Sequence, residues 1–387
     1  MELVKDNRQK IILGSQYFLY FGVMGIFLPY FNLYCFHLGF NGFQIGVLST
    51  LRSVTLVVFP LLWGVLSDRF RIRKPLYIFF NIVSSLIWAF YLFTTNIWLI
   101  FAITFFYGVF YAPIISFLEA FTMEILGIQK NQYGSIRAWG SISFIVAVIL
   151  LGKLIDLYTT EIILIFILVM SLLQAVISPK IPNSSPVKHR DRSTNIKTLL
   201  TGKVIIFFTC GFLMLLSHGT YYGFFSIHLE NLGYSNTFIG LTWAVASIAE
   251  IFAMLKSDWI FKRFRIERVL IFSFLIATSR WFFLYFTVAP FAILLTQLLH
   301  AITYGTFHMA SILYIDQLTP DQSKTTGQAA NNAVSYGLGL MIGFFINGYL
   351  YERLGSAHLF IFSSAIALTG GMLFLAFRMV TCKSQRN

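Results

Sequence analysis

Twelve long apolar segments divide this chain, and they constrain its fold more than any other feature of the sequence. A membrane-spanning helix needs about 20 predominantly apolar residues to cross a hydrocarbon core of roughly 30 Å. The first six segments are Ile11–Leu38, Phe43–Leu66, Pro75–Phe93, Ile97–Leu126, Ile136–Leu154 and Ile162–Ile177. The other six are Val204–Leu229, Phe238–Phe261, Val269–Val288, Phe291–Leu313, Ala329–Leu350 and His358–Met379. They predict an all-α membrane protein with twelve transmembrane helices.

The composition excludes a soluble protein. Hydrophobic residues make up 57% of the 387 positions and charged residues only 11%, whereas a soluble domain carries about 25% charged residues. The two-residue alternation of a transmembrane β-barrel is absent from the sequence. The first apolar segment is too long for a signal-peptide core and lacks a convincing cleavage site, so it is interpreted as a retained helix.

The net charge of +13 is compatible with nucleic-acid binding, but the positions of the basic residues indicate another role. They cluster in some of the connecting segments and are rare in the intervening ones, with Lys153 and Arg353 as exceptions. The clusters are Lys5, Arg8 and Lys10; Arg69, Arg71, Arg73 and Lys74; Lys180, Lys188, Arg190, Arg192, Lys197 and Lys203; Lys262, Arg263, Arg265 and Arg268; and Arg378, Lys383 and Arg386. This asymmetry follows the positive-inside rule. It predicts a multi-pass protein of the inner membrane with cytoplasmic termini, in contact with lipid rather than nucleic acid.

One sizeable polar stretch separates the sixth apolar segment from the seventh. It is rich in Pro, Ser and basic residues, which predicts a flexible cytoplasmic linker. The predicted domains are therefore a six-helix bundle over residues 1–178, the linker over residues 179–202, and a second six-helix bundle over residues 203–387.

The two halves also repeat each other in sequence. R-F-R-I-R-K at Arg69–Lys74 returns as R-F-R-I-E-R at Arg263–Arg268, and L-G-F…I-G-V-L around Ile45 returns as L-G-Y…I-G-L-T around Ile239, both at an offset of 194 residues. Two parallel repeats are typical of transporters whose substrate site lies near mid-membrane. The sequence therefore predicts two pseudo-symmetric bundles around one central site.

The segment Gly64–Lys74 reads G-V-L-S-D-R-F-R-I-R-K. It resembles the G-x-x-x-D-R-x-G-R-R-K loop between the second and third spans of the major facilitator superfamily. The resemblance implies a gate in which an acid pairs with a nearby arginine and holds the cytoplasmic side shut, with the candidate residues Asp68, Arg69, Arg71 and Lys74. Arg71 stands where the family usually has glycine, so a less tight turn is expected.

Eight ionisable residues stand out inside the predicted spans, where a charge at the bilayer centre costs roughly 2.5–3.5 kcal/mol on insertion scales. Glu119 and Arg137 flank a short polar turn and are interpreted either as a structural salt bridge or as a substrate site. Glu250 is expected to pair with Arg280, so that release of the arginine lets the acid take up a proton. The other four are Arg52, His218, His300 and His308.

Helical spacing groups several of these residues with aromatic side chains. His300, Tyr304 and His308 follow i, i+4, i+8 and are predicted to lie along one face of the tenth span. His218, Tyr221 and Tyr222 are predicted to share a face of the seventh. Tyr221, Tyr222 and Trp139 are candidates for stacking walls around a solute. Each histidine could instead make a structural hydrogen bond between helices, and the sequence leaves both interpretations open.

The segments around these residues extend the resemblance. E-A-F at Glu119–Phe121 and Y-G-S-I-R-A-W-G-S around Arg137 are similar to the fourth and fifth spans of the lactose permease group, in which the matching acid and arginine bind sugar. This implies solute binding by Glu119 and Arg137. Glu250, Arg280 and His300 match ionisable positions of that group, whereas Thr303 stands at its proton-carrying Glu. S-H-G-T-Y-Y-G-F-F-S-I-H-L resembles the phenylpropionate permease group, which implies proton-coupled uptake of a small organic solute.

These observations predict a monomeric secondary transporter that moves a small organic solute with H⁺ by alternating access. The solute is expected to be an aromatic carboxylate, a nucleoside or a sugar-like compound. The predicted substrate-binding residues are Glu119, Arg137, Trp139, His218, Tyr221 and Tyr222. The predicted proton-coupling residues are Glu250, Arg280, His300 and His308.

Two other functions are weighed against symport. A proton antiporter remains open because the motifs do not set the direction of transport. A membrane-embedded enzyme using His300 and Glu250 is disfavoured because no nucleophile or H-E-x-x-H motif accompanies them, and an ATP-driven pump lacks its G-x-x-x-x-G-K-[ST] loop. The cysteines Cys35, Cys210 and Cys382 have no metal or redox spacing, so no cofactor is predicted.

Overall fold

The computed structural model describes residues 2–182 and 201–384, and almost all of them are helical. The first seven α-helices are α1 (Glu2–His37), α2 (Gly42–Phe70), α3 (Arg73–Ala89), α4 (Ile97–Leu126), α5 (Tyr133–Leu157), α6 (Ile162–Ile177) and α7 (Gly202–Asn231). The other seven are α8 (Asn236–Leu255), α9 (Ser257–Arg263), α10 (Ile266–Phe286), α11 (Pro290–Leu298), α12 (Phe307–Leu318), α13 (Lys324–Asn331) and α14 (Leu340–Ser384). In the described residues the fold is thus all-α, as predicted.

The helices account for all twelve predicted spans. The tenth span consists of α11, a π-helical segment at Ala301–Thr306, and α12. The last two spans lie in one 55-residue apolar stretch, Thr326–Val380, which Gly355 interrupts. Gly355 has a φ of +72°, a conformation that glycine adopts without a steric penalty, and it separates two crossings.

The eighth span is shorter than predicted. The prediction extended it to Phe261, but α8 ends at Leu255 and a separate short helix, α9, follows. Lys256 has φ −95° and ψ 5° and interrupts the helix where the sequence turns polar, at Lys256, Ser257 and Asp258.

The chain divides into two compact units. Unit 1 comprises Met1–Phe40, Leu51–His189 and Tyr234–Ala244, and unit 2 comprises Asn41–Thr50, Arg190–Gly233 and Val245–Asn387. In unit 1, α1 packs against α4, α5 and α6, and α3 packs against α4 and α6. In unit 2, α10 packs against α12, and both α7 and α10 pack against α14. Residues 183–200 of the predicted linker lie outside the described residues.

In unit 1, α5 crosses the start of α8 with backbone against backbone. A Cβ atom on Gly152 would overlap the carbonyl oxygen of Asn236, and a Cβ on Gly240 would overlap that of Val148. One turn beyond Gly152, the Asp156 carboxylate accepts hydrogen bonds from the first two backbone N–H groups of α8, at 2.7 and 2.8 Å. These N–H groups have no partner within the helix, and a negative charge beside them is favourable.

Unit 2 contains a crossing of the same design. Gly46 on α2 meets Gly348 on α14, and a Cβ on either would lie 2.7 Å from the other's Cα. One turn beyond Gly348, Glu352 accepts a hydrogen bond from the backbone N–H of Gly42, the first residue of α2. Gly46 corresponds to Gly240 at the 194-residue offset of the repeat. We call these two contacts the glycine crossings.

Candidate functional site

Arg280 on α10 is the centre of a buried polar cluster in unit 2. Its side chain is fully buried and makes three hydrogen bonds to uncharged groups of the tenth span. One guanidinium nitrogen, Nη1, donates to Nδ1 of His300 at 3.0 Å and to the Thr303 hydroxyl at 3.1 Å. The other, Nη2, donates to Oε1 of Gln297 at 2.9 Å. These acceptors meet part of the requirement of a buried charge for hydrogen-bond partners, because Nε of Arg280 is buried without a hydrogen bond to a described residue.

The hydrogen bond from Arg280 fixes the tautomer of His300. Arginine is always protonated and can only donate, so Nδ1 of His300 must accept and the ring proton lies on Nε2. Nε2 is 3.8 Å from Oε2 of Glu250 on α8, which is an electrostatic contact rather than a hydrogen bond. His300 therefore links the arginine to the acid that the sequence predicts as its partner. A second ring proton would break the bond from Arg280.

The predicted face of the tenth span is confirmed. The rings of His300 and Tyr304 stack 5.3 Å apart at 6°, and those of Tyr304 and His308 stack 6.2 Å apart at 7°. Nδ1 of His308 lies 2.6 Å from the hydroxyl of Tyr336. Gly305 makes room for the acid of the cluster, since a Cβ there would lie 3.0 Å from Cγ of Glu250.

His218 on α7 belongs to this cluster, and one of its two ring nitrogens makes no hydrogen bond to a described residue. Its Nδ1 is 2.8 Å from the carbonyl of Met214, which can only accept, so the proton lies on Nδ1. Nε2 is then an acceptor, and it is buried without a hydrogen bond to any described residue. The ring lies 5.0 Å from Trp281 and 6.1 Å from Tyr304. The site therefore offers a buried acceptor in aromatic surroundings.

The two predicted tyrosines of α7 also belong to the cluster. The Arg280 guanidinium carbon lies 4.6 Å from the ring centroid of Tyr221, and that ring is 5.2 Å from His300. The ring of Tyr222 is 5.9 Å from Tyr304. The structure thus brings together seven of the predicted site residues, which are His218, Tyr221, Tyr222, Glu250, Arg280, His300 and His308.

The predicted pair of unit 1 is arranged differently. Arg137 and the Tyr133 hydroxyl are the polar neighbours of the Glu119 carboxylate, but no ion pair joins Glu119 and Arg137, both of which the structure describes. The guanidinium of Arg137 lies instead 3.6 Å from the ring centroid of Phe21 on α1. Gly140 leaves space for this arrangement, because a Cβ there would lie 2.9 Å from Nη1 of Arg137. The structure therefore does not support the interpretation of Glu119 and Arg137 as a structural salt bridge.

Trp139 is not brought to the Glu119–Arg137 pair. Its side chain is 53% exposed and lies against α1 at Gly14, where a Cβ would be 3.1 Å from the indole Cδ1. Residues two apart on a helix do not face the same way, so Arg137 and Trp139 contact different neighbours. Phe21, together with Tyr17, provides the aromatic contacts of Arg137 instead.

Arg52 on α2 is a further arginine inside the predicted spans, and it has no acidic partner in the part of the chain that the structure describes. Its guanidinium carbon lies 4.9 Å from the ring of Phe27. Its Nε is buried without an acceptor, and no ion pair involves it among the described residues. A cation–π contact contributes about 0.5–2 kcal/mol, whereas an arginine at the bilayer centre costs roughly 2.5–3.5 kcal/mol. The aromatic contact therefore offsets only part of the cost.

The predicted gating loop joins α2 to α3. Arg73 pairs with Asp68 at 2.9 Å and also with Glu124 on α4, a residue that the sequence analysis missed. Among the predicted gate residues, Arg69 lies over the ring of Phe70, and Lys74 is partly buried at the start of α3. Arg73 and Glu124 are 51 residues apart, and no local sequence pattern indicates a pair at that distance. Only the folded structure shows that Glu124 is a partner of Arg73.

The expectation of a loose turn at Arg71 was wrong. The backbone N–H of Ile72 donates to the carbonyl of Ser67 at 3.2 Å, which closes α2 tightly in the manner of a Schellman motif. Arg71 adopts the left-handed conformation that this motif requires, with a φ of +55°. A backbone conformation that favours glycine is thus occupied by an arginine.

Replacing Arg71 by glycine should stabilise the protein. A left-handed conformation costs a non-glycine residue about 1–2 kcal/mol, so we expect Arg71→Gly to raise stability by about 1 kcal/mol. The matched control is Arg69→Gly, which lies inside α2 and should lower stability by about 1 kcal/mol. Thermal unfolding in detergent measures both. A lower unfolding temperature for Arg71→Gly than for the wild type would show that the left-handed conformation of Arg71 does not destabilise the protein.

The described residues provide no evident place for a metal or a disulfide. No three His, Cys, Asp or Glu side chains among residues 2–182 and 201–384 lie close enough together to hold a metal ion. Cys35 and Cys210 are buried as free thiols.

Comparison with known proteins places this arrangement in context. Residues 10–362 match the model of the MFS_1 like family. A probable 3-phenylpropionic acid transporter of Escherichia coli (strain K12) is 26% identical over 358 residues, covering 91% of this chain and 93% of that protein. A maltose permease of Geobacillus stearothermophilus is 24% identical over 380 residues, covering 95% and 94%. The crystal structure of the nucleoside transporter NupG has a TM-score of 0.82 at 17% identity, covering 95% of this chain and 98% of that one.

Proposed function

The chain belongs to the MFS_1 like family and is a transporter rather than an enzyme, and on this premise we propose that it moves a small organic solute together with a proton. The observation that carries the proposal is the position of Glu250, 3.8 Å from Nε2 of His300. His300 in turn accepts a hydrogen bond from Arg280 and stays neutral. Glu250 is therefore the residue whose protonation changes the charge of the cluster.

Protonation of Glu250 couples to solute binding through charge. When Glu250 is ionised, its charge offsets that of Arg280. When it is protonated, the cluster carries a net positive charge, which lowers the electrostatic free energy of an anionic solute or of the electron-rich part of a neutral one. By linkage, a bound solute favours the protonated acid to the same extent. Solute and proton therefore enter and leave together, which is symport.

The other residues of the proposed site have complementary roles. Glu119 and Arg137 hold polar groups of the solute, as the lactose permease resemblance implies. The unpartnered Nε2 of His218 accepts a hydrogen bond from a solute hydroxyl or amine, and Tyr221 and Tyr222 form an aromatic wall. His308 extends the proton path along the stacked face of the tenth span. The proposed gate consists of Asp68, Arg69, Arg71 and Lys74.

The proposed cellular setting follows the distribution of basic residues. The chain lies in the inner membrane as a monomer, with both termini and the basic loop Arg69–Lys74 in the cytoplasm. The linker over residues 179–202 connects six-helix bundles formed by residues 1–178 and 203–387. Lipid headgroups contact the basic loops.

Proton movement in sealed vesicles tests the proposal. Purified protein is reconstituted, the interior is loaded with a pH dye, and 3-phenylpropionate, maltose or uridine is added outside. These solutes represent the classes carried by the relatives. Acidification of the interior on addition of one solute supports symport. Alkalinisation of the interior indicates an antiporter, and solute entry without any pH change overturns proton coupling.

A further inference from the structure

Arg52 lies further from the end of its helix than Arg137, the other arginine of unit 1 inside a predicted span. It is the eleventh residue of the 29-residue helix α2, so it lies about 15 Å from the start of that helix. This is half of a hydrocarbon core of about 30 Å. Arg137, the fifth residue of α5, is only about 6 Å from its helix end. Solute sites of such transporters lie near the bilayer midplane, and Arg52 lies well inside its span.

A close helix contact fixes the surroundings of Arg52. A Cβ on Gly108 of α4 would overlap the hydroxyl of Thr55, so α2 and α4 meet one turn from Arg52. The adjacent residue, Tyr107, has its ring 6.4 Å from that of Phe27, which also contacts Arg52. Its hydroxyl is buried and makes no hydrogen bond to a described residue. Two donors, Nε–H of Arg52 and O–H of Tyr107, are therefore buried near each other without an acceptor.

Aromatic rings line the surroundings of these donors, and no acid lies there among residues 2–182 and 201–384. Phe27 lies against Arg52, and its ring is 5.7 Å from Trp88 and 6.4 Å from Tyr107. The titratable groups that face Arg52 in the described residues are Tyr91 and Tyr107 only. The site therefore combines one uncompensated positive charge, a spare hydroxyl donor and apolar ring surfaces.

We propose that Arg52 and Tyr107 bind the carboxylate of the transported solute, and that the solute is an aromatic carboxylate. This inference rests on the proposed transport function and selects one of the three solute classes. A carboxylate supplies both the missing negative charge and the acceptors for the two donors. A sugar or a nucleoside is neutral and would leave the Arg52 charge uncompensated. The aromatic walls suit the ring of such a solute.

Binding of matched charged and neutral probes to the full chain in lipid nanodiscs tests this proposal. The probes are phenylacetate, 3-phenylpropionate and 4-phenylbutyrate, each with its neutral carboxamide, and calorimetry gives the affinities. The wild type should prefer at least one acid over its amide. Arg52→Gln should lower the affinity for that acid roughly 10- to 100-fold and leave the amide unchanged. The control Arg268→Gln, an exposed arginine on α10, should change neither affinity.

Each outcome decides the proposal. Loss of the acid preference in Arg52→Gln, with partial retention in Arg52→Lys and a smaller loss in Tyr107→Phe, supports it. Retention of the full preference in Arg52→Gln overturns it. If that variant does not fold, the wild-type comparison of acid and amide still decides, because an absent acid preference overturns the proposal. Wild-type binding of maltose or uridine, with no binding of the acids, overturns the carboxylate assignment and leaves transport standing.

Discussion

Glu250→Gln will no longer accumulate solute against a gradient, although it will still exchange solute across the membrane. The amide keeps the size and polarity of the side chain next to Nε2 of His300 but cannot gain or lose a proton. A pH difference of about one unit supplies about 1.4 kcal/mol and supports roughly tenfold accumulation. We expect about tenfold accumulation by the wild type in reconstituted vesicles and none by the variant, while counterflow of labelled solute continues.

Asp316→Asn is the matched control for this experiment. Asp316 is a carboxylate of α12 in the same unit, and its partner is Lys324 at 3.1 Å rather than the Arg280 cluster. The substitution should leave accumulation unchanged. If Glu250→Gln still concentrates solute, the proton travels on another residue, and Glu119 and His308 become the next candidates for the same substitution test.

Gly240→Ala will destabilise the protein, although alanine is the better helix former. Its Cβ would overlap the Val148 carbonyl and lie 2.6 Å from the Tyr30 hydroxyl, which itself donates to the same carbonyl at 2.7 Å. Backbone atoms cannot rotate away, so α5 and α8 must separate. Overpacking of this kind costs about 1–3 kcal/mol. Thermal unfolding in detergent should show a lower midpoint for this variant, and likewise for Gly46→Ala in the second glycine crossing.

Gly64→Ala is the control for the glycine crossings. Gly64 lies within α2, and a Cβ there would meet no atom within 4 Å. The same substitution should therefore stabilise the protein by about 0.4–1 kcal/mol. The two variants differ only in what the added methyl group meets, so the signs of their effects should be opposite. Destabilisation of equal size in both would show that the crossings do not depend on backbone contact.

The sequence predicts those features that follow from local periodicity. Apolar segment lengths predict the twelve crossings, and the i, i+4 rule predicts the stacked face of His300, Tyr304 and His308, which persists although the segment between them is π-helical. The 194-residue repeat predicts that similar contacts recur in both halves. The crossings could have been found by comparing the two halves further, since G-K-L-I-D at Gly152–Asp156 parallels G-Y-L-Y-E at Gly348–Glu352 at an offset of 196 residues, two more than in the repeat.

The features that the sequence analysis missed depend on contacts between distant segments. The cation–π partner of Arg137 is Phe21, more than a hundred residues away, and one aromatic residue among 43 phenylalanines carries no signal of its own. The short distance in sequence between Trp139 and Arg137 predicts a shared site, but the directions of their side chains on α5 separate them. Similarly, His300 lies between Glu250 and Arg280 because α8, α10 and the tenth span pack together. No rule of sequence spacing predicts this contact.

The glycine crossings permit only one register. A shift of either helix by one residue would turn its glycine about 100° away and would carry the capping carboxylate off the helix end that it meets. A bulkier side chain would then press on the partner's backbone, and close-packed protein interiors do not yield gradually to such a change. Each crossing is consequently complete or absent. Wherever the transport cycle separates these helices, it does so as a switch between discrete states and not as a continuous slide.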